Sequence, residues 1–317
     1  FIFLILIVVL KKTTREMKIL ITGATGLIGS ELVRLLLQNG VTVHYLTTSK
    51  DKIETQPNYH GFYWDPNQGV IDENALMGVD SIIHLAGATI SKRWTSKYKQ
   101  EIIESRILSS NVLFKALKDH PHSVKQIVSA SAIGIYPDDL TNLYTEEDTR
   151  TDDSFLGKVV VKWEESVNKF RLLNIKVCKL RTGLVLSNKG GALVEMVKPI
   201  KMGIGSPFGS GKQIQSWIHI HDLVEMYFYA VKNELDGVYN AAAPNPVTNK
   251  KLTQQIATVL KKPLFMPNIP RFLMKLVLGE MHTILFDSQN VSSKKVEKQG
   301  FIFEYKLVDK ALKQLLG

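Results

Sequence analysis

One cysteine, Cys178, in 317 residues is too few for an internal disulfide or a cysteine-based zinc site. A reducing, cytoplasmic compartment is therefore expected, and thiol chemistry is not. Long apolar runs are scarce as well. FIFLILIVVL at 1–10 has ten residues, where a helix needs about 20 to span a bilayer. Lys11 and Lys12 follow that run rather than precede it, and no small-residue cleavage site comes next, which is the wrong order for a secretory signal. No membrane partner is expected. Met17 opens KILITGATG, which can start a fold by itself, so residues 1–16 are expected to be an extension outside it. Long basic runs are missing too. Lys+Arg exceed Asp+Glu by 40 to 30, a net +10, but the excess is spread along the chain. With no nucleic-acid reader motif, this charge suits small anionic ligands rather than nucleic acid.

What remains, 44% hydrophobic and 22% charged residues, describes a globular chain long enough for about two domains. From Met17 the texture is strand, turn, amphipathic helix, repeated. KILIT (18–22) precedes a helix from about Leu27 to Gln38, closed by Gly40, and VTVHYL (41–46) follows. DSIIHLAG (80–87), KQIVSASA (125–132) and KVCKLRTGLVL (176–186) are the further strands, with helices at 97–118 and 155–173 between them. Short β-branched runs alternating with long helices predict a doubly wound, Rossmann-like parallel sheet covered on both faces, over 17–186. After 186, Gly-rich GIGSPFGSG (203–211), a short strand near Trp217 and helices near 222–233 and 250–261 suggest a smaller C-terminal α/β substrate module, 187–317, with some later segments returning to the sheet.

TGATGLIG (22–29) places Gly23, Gly26 and Gly29 between the first strand and its helix. The first two glycines allow a tight turn and bring backbone N–H groups against a pyrophosphate, and the third lets helix and strand approach. A dinucleotide is the expected ligand. An NAD site usually carries Asp or Glu after the second strand to hold the ribose diol. This chain has Thr47, Thr48, Ser49 and Lys50 there, a hydroxyl–ammonium set that suits a 2′-phosphate, so NADP is preferred over NAD.

TGATGLIG, HLAGA (84–88), SASAIGIY (129–136) and LRTGLVLS (180–187) resemble the extended short-chain dehydrogenase/reductases. RW (93–94), ESR (104–106), KWEE (162–165) and GSGKQIQSWIHIHDL (209–223) narrow the resemblance to an atypical epimerase-like family with a characteristic C-terminal module. By this resemblance Gly23, Thr25, Gly26, Leu27 and Ile28 cradle the dinucleotide, Leu85, Ala86 and Gly87 pass its adenosine ribose, and Arg106 sits near its edge. Ser131 resembles the family's substrate-polarising serine, with Ser129 and Thr182 as alternatives. Arg93, Trp94, Lys212, Gln213 and Trp217 fall in segments that contact substrate, which the resemblance makes a small molecule such as a nucleotide-sugar.

One departure matters. Short-chain dehydrogenases use Tyr-x-x-x-Lys on a helix, the phenol exchanging the proton as hydride moves. Here the helix reads Lys158-Val159-Val160-Val161-Lys162, so Lys162 keeps the ribose-binding role and Lys158 stands where the phenol is expected. Repulsion between two lysines four apart, with partial burial, would lower the Lys158 pKa toward an acid/base range. Tyr136, Tyr98 and Tyr144 are the other phenols to weigh. His219 and His221 alternate like a metal pair, but no third ligand has a recognisable spacing, so no metal is expected and Asp222 is read as a helix cap. The expectation is an NADP-binding epimerase or reductase, monomeric or homodimeric. Its alternative is a degenerate NADP-binding sensor or interaction protein.

Overall fold

A computed structural model describes residues 17–317, and the expectation for 1–16 lies outside the described residues. The chain runs β1 (Lys18–Thr22), α1 (Leu27–Gln38), β2 (Thr42–Thr47), β3 (Thr55–Gln56), β4 (Tyr59–Asp65), β5 (Val70–Ile71), β6 (Ser81–His84), α2 (Ser96–Asp119), β7 (Gln126–Ala132) and β8 (Leu143–Tyr144). It continues through α3 (Phe155–Asn168), β9 (Lys176–Thr182), β10 (Leu184–Leu186), α4 (Ala192–Lys201), β11 (Ile214–Gln215), β12 (Trp217–His219), α5 (Ile220–Lys232) and β13 (Gly237–Ala241). Last come β14 (Val247–Thr248), α6 (Asn249–Val259), α7 (Arg271–Leu278), α8 (Thr283–Phe286), β15 (Asn290–Val291), α9 (Lys294–Lys298) and α10 (Val308–Leu316).

The main sheet has the order β13-β9-β7-β6-β1-β2-β4-β3, and β5 also pairs with β4. From β13 to β4 every pairing is parallel. Strand alternation sorts the side chains. Ile19, Ile21, Val128, Cys178 and Leu180 face α1 and α5, meeting Leu32, Leu36, Leu223 and Tyr227. Leu20, Ile82, Ile127 and Val177 face α2 and α3, meeting Leu113, Leu117, Trp163 and Val167. The chain steps outward from β1 through β2 to β4, then returns to the other side of β1 as β6. That reversal opens a crevice at the carboxyl ends of β1 and β6, where open α/β sheets take their ligands.

The strands depart from the sequence expectations at three places. Residues 176–186 form β9 and β10 rather than one strand, because the chain changes partners at Gly183. Its N–H bonds Ala241 of β13, while Leu184 N–H bonds Ser216, and a Cβ at Gly183 would lie 2.1 Å from the Ser216 carbonyl oxygen. β13, with the sequence GVYNA, and β4, whose side chains are mostly half-buried, show little of the apolar alternation that marks the inner strands. The C-terminal segments have their own core. Leu193, Val197 and Ile200 of α4 pack with Leu252 and Ile256 of α6, Leu312 and Leu315 of α10, and Trp217.

Candidate functional site

The crevice is built on Gly23. It adopts φ +74°, and a Cβ there would meet the Leu85 carbonyl carbon at 3.1 Å, so only glycine suits both the turn and the neighbouring strand. Gly26 caps α1 with no side-chain bond, and the first turn of that helix holds no acidic residue. A Cβ on Gly29 would stand 2.1 Å from the Gly23 carbonyl oxygen, so the third glycine lets α1 start tightly against β1. Thr25 and Gly26 are exposed at the mouth, and Leu27 and Ile28 are half-buried.

A buried brace holds the second wall. Thr22 Oγ1 accepts from the N–H groups of Leu85 and Ala86, both at 3.1 Å, and lies 2.8 Å from His84 Nδ1. With its oxygen taken, the Thr22 hydroxyl donates to Nδ1, so His84 carries its proton on Nε2, toward Ser110 at 3.2 Å. Burial pushes the imidazole pKa down to about 4, and the nearby Arg106 charge adds to this. His84 is therefore a neutral strut that fixes the Leu85–Gly87 turn. Arg106 lies over that turn, its Nη1 donating to Ala88 at 3.2 Å and Ile102 at 2.9 Å.

At the end of β2, Ser49 N–H bonds Thr47 Oγ1 at 3.2 Å, Thr48 and Lys50 are exposed, and Lys50 Nζ lies 5.1 Å from the centre of the Tyr63 ring. No carboxylate stands between Thr47 and Lys50.

Ser131 ends β7 in a buried polar knot. Its hydroxyl donates to Glu164 Oε1 at 2.6 Å, and Arg181 and Lys179 grip the same carboxylate at 2.8 and 3.1 Å. Burial raises the Glu164 pKa, but hydrogen bonds and charge from Arg181, with Lys179 and Ser131, outweigh it and hold the carboxyl below its ordinary range. Arg181 also donates to Tyr136, which in turn donates to Asn240, both at 2.9 Å. With its hydrogen on Glu164, Ser131 can accept from a substrate hydroxyl but has no proton for an oxyanion. Ser129 bonds the Ala130 carbonyl and Thr182 that of Leu180, which commits both alternatives to the backbone.

The helix register corrects the acid/base expectation. Lys158 and Lys162 are exposed with Glu165 and Lys169 on the solvent side of α3, while Val160, Trp163 and Glu164 face the sheet. Both lysines lie away from the side of α3 that carries Glu164, the partner of Ser131, and the partial burial expected of Lys158 is missing. The pair with the same four-residue spacing on the inner side is Leu156 and Val160. Val160 packs with Tyr136, and Leu156 with Trp94, Phe155 and Met281. The three phenols are occupied as well. Tyr136 and Tyr144 are fully buried and stacked 5.1 Å apart, and Tyr98 donates to Thr89.

Of the expected substrate contacts, Arg93 and Lys212 are exposed. Trp94 packs edge-on to Phe155 and donates to Ile90, and Trp217 is fully buried and donates to Asn245. Gln213 bonds the carbonyls of Phe208 and Leu285, so the polar groups of these three residues are committed to backbone carbonyls. His219, rather than Asp222, caps α5. Its Nδ1 accepts from His221 N–H, its Nε2 donates to Gln314, and burial drives its pKa to about 4. Asp222 accepts from Glu304 and Tyr305 N–H instead, tying α5 to the chain before α10.

Glu164 and its cations carry no role in the sequence reading. Their signal is the alternation of Lys179 and Arg181 inside an otherwise apolar strand. Asp287, following α8, was also passed over. Burial and the Asp138 charge raise its pKa to about 7, and its neighbour Ser288 bonds Asp138 just beyond β7.

The topology, the glycine turn and the braced second wall define an extended short-chain dehydrogenase/reductase architecture. The chain belongs to the NAD-dependent epimerase/dehydratase family, whose model matches residues 19–242, and a domain of unknown function matches 269–315. An epimerase family protein of Staphylococcus epidermidis is 36% identical over 298 residues, covering 94% of this chain and 98% of the relative. One from Staphylococcus aureus is 37% identical over 302 residues, with the same coverage. Among solved structures, a human epimerase family protein crystallised with NADPH superposes with TM-score 0.82 at 28% identity, covering 95% of this chain and 99% of that one. A nucleoside-diphosphate sugar epimerase from Corynebacterium glutamicum gives 0.77 at 28% identity, covering 95% of this chain and 58% of that one.

Among the described residues, no helix is long and apolar enough to cross a membrane, and no group of three or more His, Cys, Asp or Glu could hold a metal ion.

Proposed function

We propose that this chain binds NADP(H) at the carboxyl end of β1 and exchanges hydride with a carbinol or carbonyl carbon of a small substrate, nucleotide-sugars being the class to test first. The observation that carries this reading is the Gly23–Gly29 turn, where glycine backbone fills space that any Cβ would take and an uncapped helix start offers its N–H groups. The residues present fit the dinucleotide. Thr48, Ser49 and Lys50 supply hydroxyl and ammonium groups for a 2′-phosphate, with nothing acidic before Asp51, and the human relative crystallised with NADPH supports the same choice.

When bound, the nicotinamide supplies the hydride chemistry that no side chain has. The chain's own residues orient the reactants. Thr22 and His84 hold the Leu85–Gly87 wall, and Ser131, fixed by Glu164, accepts a hydrogen bond from a substrate hydroxyl. Two measurements test this reading: transfer of deuterium from 4-deuterated NADPH to keto-sugar nucleotides and simpler carbonyl compounds, which it reduces, and transfer to NADP+ from sugar nucleotides deuterated at a carbinol carbon, which it oxidises.

A second reading, an NADP-binding sensor or interaction protein, is favoured by one observation: the inner α3 positions are Leu156 and Val160, which transfer no proton. Tight NADPH binding without deuterium transfer in either direction would select it.

A further inference from the structure

α7 (Arg271–Leu278) turns toward water the side that a surface helix ordinarily hides. Phe272 and Leu276 are four residues apart, as are Leu273 and Val277, so the two pairs share one side of the helix. Phe272 is 69% exposed, Leu276 78% and Val277 66%, and no residue of the helix is fully buried. Phe265, 71% exposed, adds a further apolar group on the approach to it.

Anchors lie on both sides of the helix. Before it, Ile269 exchanges backbone hydrogen bonds with Pro207 and Gly209, both at 2.9 Å. After it, Gly279 turns the chain at φ +60°, Glu280 pairs with Lys99 of α2, and Met281 and Ile284 pack with Trp94, Ile102 and Val159. A helix of eight residues is marginal in water, and exposing its largest apolar side chains adds nothing to its stability. An apolar patch of this kind marks a contact surface.

The charge around it says which kind. Residues 261–279 include Lys261, Lys262, Arg271 and Lys275 and no Asp or Glu. Arg271 is engaged locally, donating to His282 and lying over the Phe286 ring. The three lysines are exposed and make no ion pair among the described residues. Two copies of the chain joined through this side would bring like charges together with no carboxylate to pair them. Phenylalanine and leucine flanked by uncompensated lysines fit a lipid surface with anionic headgroups. Eight residues are far fewer than the roughly 20 that cross a bilayer, so such a helix lies in the headgroup layer.

We propose that α7, with Phe265 and the flanking lysines, docks this chain on an anionic lipid surface. Phe272, Leu273, Leu276 and Val277 enter the boundary of the acyl chains, and Lys261, Lys262 and Lys275 meet the headgroups. Nothing in this depends on the dinucleotide reading.

The test floats the full chain with vesicles of phosphatidylcholine alone and of phosphatidylcholine mixed with phosphatidylglycerol. The parent is expected to bind the mixed vesicles at least about tenfold more tightly, and to lose that preference in about 1 M sodium chloride, where the Debye length is about 3 Å. Phe272→Ser combined with Leu276→Ser should abolish binding with Tm unchanged, since both side chains face water. Lys275→Glu should weaken binding to the mixed vesicles and leave that to the neutral ones as it was. A parent that floats with neither vesicle, or equally with both, would overturn the proposal. So would a double variant that binds as the parent does, which would move the contact elsewhere, the apolar run at 1–10 being the first place to look. A marked fall in Tm of the double variant would make the apolar side structural instead. A parent that sediments as a dimer in analytical ultracentrifugation, and a double variant that sediments as a monomer, would assign the surface to a second copy and overturn the lipid assignment.

Discussion

Ser131 and Glu164, thirty-three positions apart, are joined by a 2.6 Å hydrogen bond that pins the end of β7 to the inner side of α3. Glu164 also neutralises Arg181 and Lys179 in a site where each of the three side chains is less than a tenth exposed. Replacing it as Glu164→Gln strands two buried cations, and breaking a buried pair from one side costs about 3–5 kcal/mol. A fall in Tm of roughly 10 °C is expected in calorimetry, and an unchanged Tm would refute this role.

The same carboxylate sets the acid limb of stability. Its folded pKa is lowered, so its contribution is complete above the unfolded value near 4.5 and is lost as pH falls through the folded one. Denaturant titrations should show Glu164→Gln approaching the parent's stability only in strong acid.

Asp287 has the opposite sign. Its carboxyl is raised to about 7, so between about pH 7 and its unfolded value near 3.8 the folded chain binds more protons than the unfolded one. Stability should therefore increase as pH falls across that window, and Asp287→Asn should flatten the increase.

Lys158→Met and Lys162→Met alter exposed positions on the outer side of α3. Each is expected to change stability by no more than about 0.5 kcal/mol and to leave NADPH affinity near the parent value. Loss of turnover in Lys158→Met alone, with binding intact, would return the proton-carrying role to that lysine.

Much of the architecture was legible because its signals are local and repeated. The glycine spacing of 22–29 between KILIT and an amphipathic helix permits one kind of turn, and Gly23 and Gly29 meet the demands expected of them. The reading of α3 failed for a different reason. Spacing of four residues places two side chains on the same side of a helix but does not say which side is buried, and Lys158–Lys162 and Leu156–Val160 share that spacing. The buried Val159, Val160, Trp163 and Glu164 settle the register, and only tertiary packing shows it. The roles of Gln213 and Trp217 were hidden similarly, since their backbone acceptors come from Leu285 and Asn245, 72 and 28 residues away in sequence.

Gly29→Ala tests the crevice itself. With the new methyl 2.1 Å from the Gly23 carbonyl, α1 must move away from β1. Overpacking of this kind costs about 1–3 kcal/mol, and dinucleotide binding is expected to be lost before folding is. A variant that bound NADPH as the parent does would show that the turn has no part in holding it.

The most direct measurement is a paired fluorescence titration of the parent protein and Lys50→Asp with NADPH and NADH. The account predicts tighter binding of NADPH than NADH by the parent, and a loss of about 1–3 kcal/mol of NADPH affinity on placing a carboxylate after β2, with NADH unaffected or improved. Tighter binding of NADH by the unmodified protein, or no binding of either, would contradict it.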